Sequence, residues 1–150
     1  MGTIIISALF SWKDGADPTS VGAAHRALEE FARDVPGVRV CWYGLNEENR
    51  TSCVYAVYDS PEVLANLYAA LETRGRDIMA AESAVTQLVP GQTFVQGSKQ
   101  SLDALEEVIE GWGLLRFHTD TQGDTHVGLQ DFSRRNRLPF HQLRFAMIRS

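Results

Sequence analysis

"VRVCWYGLNEENRTSCVYAVYD", residues 38–59, holds two apolar runs around a polar centre. VRVCWYG (38–44) and SCVYAVYD (52–59) are rich in β-branched and aromatic residues, and LNEENRT separates them. Short runs of this kind, bounded by turn formers, read as the two strands of a hairpin. Asp34-Val35-Pro36-Gly37 stands just before it, and proline disfavours helix in the residue that precedes it. Ser60-Pro61 stands just after it and opens a new helix.

Working outward, Val21, Ala24, Leu28, Phe31 and Val35 recur at three- and four-residue steps, which predicts an amphipathic helix opened by Asp17-Pro18. TIIISALFSW (3–12) precedes it, apolar with little interruption, as in a strand buried on both faces. Downstream, Leu64, Leu67, Tyr68 and Leu71 share a helix face. Gly75 interrupts that helix, and 76–83 form a further turn or two. AVTQLVPGQTFV (84–95) is strand-like, broken by Pro90-Gly91. The order β-α-β-β-α-β predicts a ferredoxin-like α+β domain over residues 1–96, an antiparallel sheet with its helices on one face. The other face needs cover, and a second copy of the chain is the simplest source.

Residues 97–150 continue past that unit, with Gly97-Ser98 as the boundary. Ser98 caps a helix whose Leu102, Leu105, Val108, Ile109 and Trp112 form a stripe, and Gly111 and Gly113 end it. LLRFHT and THVGL make a hairpin, and FHQLRFAMIR (140–149) a last strand. This C-terminal α/β extension packs on or extends the same sheet, and one reading makes it a truncated second half-barrel.

Composition narrows the function. Of 150 residues, 44% are hydrophobic and 22% charged, the balance of a globular chain, and the net charge of −5 argues against a nucleic-acid partner. Five arginines follow Asp131 without an acid, a short basic end more often solvated than functional. No run approaches the ~20 apolar residues of a membrane span, and the N-terminus lacks the charged region of a secretory signal, so a cytoplasmic protein is expected. Cys41 and Cys53 are then expected as reduced thiols, although a cross-hairpin disulfide is conceivable from their places on the two strands.

The stretch DVPGVRVCWYGLNEENRTSCVYAVYDSPEVLANLY resembles the antibiotic-biosynthesis-monooxygenase branch of the dimeric α/β-barrel superfamily. The resemblance rests on the Pro36-Gly37 turn, the strand-loop-strand of 38–58 and the Tyr58-Asp59-Ser60 entry to the second helix, and it extends over about two-thirds of the chain. It implies a homodimer and a cofactor-independent oxygenase acting on a small aromatic or polyketide-like compound. In such relatives a pocket holds a phenolic substrate and helps its anion react with oxygen. Members of the superfamily often carry a histidine early in the second helix, where this chain has Asn66 and Tyr68, so haem chemistry is not supported. A non-catalytic dimeric binding or accessory protein of the same fold is the alternative.

Proton abstraction requires a base. His25 is the one histidine in the family-like part and the candidate base, although it lies one step off the apolar stripe, where a boundary or surface position is the plainer reading. Trp42, Tyr55 and Tyr68 are the candidate pocket walls, with ordinary core packing as the alternative. Strand alternation puts Trp42 with Val38 and Val40 on one face, and Tyr43 with Arg39 and Cys41 on the other. HTDTQGDTH (118–126) would set His118 opposite His126 and Asp120 opposite Asp124, about 4.5–5.5 Å apart at Cβ, within reach of a shared ion. The same residues are what a tight turn uses, and the turn reading without metal is preferred. No nucleophile elbow, P-loop or dinucleotide fingerprint occurs.

Overall fold

The computed structural model describes residues 2–109, 114–118 and 125–130. They form β1 (Ile4–Trp12), α1 (Pro18–Arg33), β2 (Val38–Asn46), β3 (Thr51–Tyr58), α2 (Pro61–Arg74), α3 (Arg76–Val85), β4 (Thr86–Ser98), α4 (Lys99–Val108), β5 (Leu114–His118) and β6 (Thr125–Gln130). The expected final strand over 140–149, Trp112 with its flanking glycines, and Asp120 and Asp124 lie outside the described residues.

Local chemistry sets the joints. Asp17 caps α1 by accepting a hydrogen bond from the Ser20 amide at 2.7 Å, and the Ser20 hydroxyl accepts in return from the Asp17 amide. Gly37 turns the chain into β2 with φ +94, and a Cβ there would meet Val63 Cγ2 at 2.5 Å. Only glycine fits both conditions. Gly75 serves α2 and α3 at once, ending the first and starting the second.

All pairings in the sheet are antiparallel, in the order β2-β3-β1-β4-β6-β5. The first four strands are in ferredoxin-like order, as the sequence predicts. Beyond them, β6 pairs along the outer edge of β4, and β5 pairs with β6. Of the described residues after Gly97, β5 and β6 therefore widen the sheet, and α4 joins the helix layer beside α2 and β4. His118 stands opposite His126 in the β5–β6 register.

The register also says which face each side chain takes. Ile4, Ile6, Cys41, Ala56, Tyr58 and Val95 point toward the helices and join Leu28, Leu64, Leu67, Met79, Leu102 and Leu105 in one buried core. The opposite face carries Ile5, Leu9, Tyr55, Val57, Trp42 and Phe94, and the last two are 46% and 45% exposed. No helix among the described residues covers it.

Two strand details depart from simple alternation. The β2–β3 register shifts between Val38 and Val40, so Val38 sits opposite Tyr58 on the helix side and not beside Trp42. An extra residue at Arg39 absorbs the step, as a bulge does. Pro90-Gly91 does not break β4. It bulges the strand, setting Val89–Gln92 against Leu9 of β1, with Gly91 at φ +76.

Candidate functional site

His25 is not a surface residue. It lies in the third turn of α1, 1% exposed, with Val21, Ala24 and Leu28 buried around it on the same helix. Its Nδ1 is 3.0 Å from Oε1 of Glu82, a residue of α3 that is itself 5% exposed. A carboxylate only accepts hydrogen bonds, so Nδ1 is the donor, and the lone pair of the ring's uncharged form lies on Nε2. Glu82 is held in turn: the Thr86 hydroxyl bonds Oε2 at 3.0 Å and lies 3.1 Å from the Glu82 carbonyl oxygen. Nε2 is buried and has no hydrogen-bond partner.

The Tyr43 ring stacks on His25 with centroids 4.1 Å apart and planes 9° from parallel, and Phe10 closes a second side at 6.4 Å. Glu29 fixes Tyr43 from α1, its Oε2 accepting the Tyr43 amide at 2.6 Å. Burial pushes the Tyr43 phenol well above its ordinary range, and the Glu82 carboxylate adds to the shift. Burial likewise pushes the Tyr58 phenol up, and the Cys41 thiol to about 11 with help from Glu29. Shifts in this direction disfavour the anionic form of all three groups, the Cys41 thiolate included.

The sequence-derived residues divide between the two faces of the sheet. Tyr68, on α2, packs against the core on the His25 side. Trp42 and Tyr55 are a cross-strand pair on the open face, rings 5.5 Å apart. They cannot line one pocket with His25. Cys41 and Cys53 also separate, Cys41 buried under the helices and Cys53 exposed on the other side, and both are free thiols. Glu82 escaped the sequence reading. Its one trace there is an acid three residues after Met79 on an otherwise apolar helix face. Among the described residues no group of His, Cys, Asp and Glu is arranged to hold a metal ion.

Comparison with solved structures shows the same fold elsewhere. MupZ from Pseudomonas fluorescens matches with a TM-score of 0.59 at 16% identity, over 71% of this chain and 81% of that one. SnoaB from Streptomyces nogalater, a cofactor-independent oxygenase, matches with a TM-score of 0.54 at 12% identity, over 68% of this chain and 98% of its own. The protein YJCS gives 0.53 at 14% identity, over 63% and 96%. At these identities the likeness is one of fold, and it agrees with the superfamily resemblance read from residues 34–68. No family model and no curated protein matches the sequence. No helix among the described residues is long and apolar enough to cross a membrane.

Proposed function

We propose that the chain is a cofactor-independent oxygenase of small phenolic or polyketide-like compounds, with His25 as the base. The observation that carries this reading is a buried imidazole with Nδ1 held by a carboxylate and a free Nε2. A general base must be oriented, and the proton it takes must come within hydrogen-bond reach. In the reaction, Nε2 accepts the phenolic proton, and the phenolate passes electrons to dioxygen, the co-substrate. At an oxidisable carbon that carries two hydrogens in the keto tautomer, a C=O bond replaces both C–H bonds. One oxygen atom enters the product, and the other leaves as water with those hydrogens. The stacked Tyr43 and the nearby Phe10 surround the imidazole with aromatic side chains.

Oxygen uptake with a panel of phenols and naphthols tests this. His25→Asn is the informative variant, because its amide nitrogen can replace Nδ1 toward Glu82 but leaves no basic nitrogen at the Nε2 position. Turnover by the wild type that falls about 10²–10⁴-fold in the variant is expected on losing a general base. Full activity in a folded His25→Asn protein refutes the role.

A homodimer joined through the open sheet face belongs to the same reading. That face presents Trp42 and Phe94 about half exposed, with Ile5, Leu9, Tyr55 and Val57 on the same side, and exposed apolar side chains gathered on one face suit an interaction site. Light scattering should give twice the chain mass, and Trp42→Glu should give the monomer. A monomeric wild type overturns the assembly without touching the assignment of His25.

A further inference from the structure

Among the described residues β2 is an outer strand of the sheet. An outer strand presents a row of backbone N–H and C=O groups on which a further strand can form. Beyond β4 the sheet has grown in this way, first by β6 and then by β5. Beyond β2 a side chain occupies the row instead. Oε2 of Glu29, on α1, accepts the Tyr43 amide at 2.6 Å. The Tyr43 N–H therefore points away from β3. Successive strand residues direct their backbone groups to alternate sides, so Cys41 and Leu45 face outward with it. Tyr43 is the middle of the three, and its amide is the central donor an incoming strand would use.

The row is complementary to itself. If β2 of a second copy ran antiparallel to it about a two-fold axis at Tyr43, each Tyr43 amide would donate to the other copy's Tyr43 carbonyl, and Cys41 would stand opposite Leu45 on both sides. Glu29 opposes this twice. Its side chain is 16% exposed, and its other oxygen lies 3.5 Å from Nη2 of Arg33. An amide bond to a carboxylate is stronger than one to a carbonyl, so an arriving strand exchanges a stronger bond for a weaker one and strands a largely buried charge. The two-fold axis also brings the two Glu29 carboxylates together as like charges.

We propose that Glu29 guards the β2 edge, holding closed a surface that without it takes a second copy of this chain by strand addition. This edge is distinct from the open sheet face, and the guard is independent of any role of His25.

Light scattering over a dilution series, with amide exchange on the same samples, tests the guard. Concentrated Glu29→Ala should reach about twice the wild-type mass, since one two-fold contact doubles an assembly. Arg33→Ala removes the ion pair but keeps the guard, and should match the wild type. Glu29→Ala with Leu45→Pro should return to the wild-type mass, because proline takes an outward donor from the edge. The wild-type Tyr43 amide should be protected at every concentration. In dilute Glu29→Ala it should exchange about tenfold faster, the size of one lost hydrogen bond, and regain protection as the protein associates. An unchanged mass in folded Glu29→Ala, equal association of Arg33→Ala, association that survives Leu45→Pro, or an unprotected Tyr43 amide in the wild type overturns the proposal. Each variant is compared with the wild type's own mass, so a monomeric wild type counts against the open-face dimer and not against the guard.

Discussion

His25→Leu is expected to lower the stability of the fold by about 3–5 kcal/mol, and His25→Leu with Glu82→Met to recover most of that loss. The wild-type pair meets at 3.0 Å in a site where both side chains are almost wholly removed from water. Leucine takes the place of the imidazole and leaves the Glu82 carboxylate with only the Thr86 hydroxyl. An uncompensated buried charge is far costlier than a buried pair or an apolar replacement of both members. Denaturant midpoints at constant slope measure the three variants. A purely structural His25, tolerated as one more apolar side chain, predicts instead a cost within about 1.5 kcal/mol, as for a volume-conserving core exchange. The double variant separates the two cases, because only a stranded carboxylate is relieved by its own removal. The same result explains why His25→Asn, and not an apolar variant, is the one in which to measure turnover.

The order of elements was legible because each stop and start has a local cause. Pro36-Gly37 disfavours continuing α1, and Asp17-Pro18 and Ser60-Pro61 favour starting helices, from local chemistry alone. The bulges were not legible. Alternation continues through Arg39 and Val40 on paper, and only the register against β3 shows that one residue steps out and sends Val38 to the helix side. The site was half legible. Histidine chemistry singled out His25, but its place beside the apolar stripe suggested exposure. Burial there depends on α3 crossing α1 and presenting an acid from a residue 57 positions away. Trp42 and Tyr55 read as pocket walls because aromatic content carries no sign of which face it serves. Tyr43, one residue from Trp42, is the aromatic that reaches the imidazole.

The second large effect concerns how far the core reaches. Leu102 and Leu105, both fully buried on α4, belong to the cluster that contains Ile4 of the first strand and Leu64 of α2. Leu102→Ala removes three buried carbons and leaves a cavity that rigid neighbours fill only in part. The expected cost is about 2–5 kcal/mol, a large share of the marginal stability of a chain this size. How that cost is distributed is the more telling measurement. If α4 were an appendage, hydrogen exchange would quicken in α4, β5 and β6 while β1 and β3 kept their protection. With one core, the amides of β1 and β3 lose protection by the same free energy as those of α4, because they open only when the whole unit does. Ser101 adds a reason to expect the second outcome. Its hydroxyl bonds the Gly2 amide and carbonyl, each at 3.2 Å, tying the start of α4 to the chain's first residues. β4 adds another, since one continuous strand pairs with β1 on one side and β6 on the other. Unchanged protection in β3 of the Leu102→Ala protein, alongside a loosened α4, would divide the core at β4 and refute the shared unit.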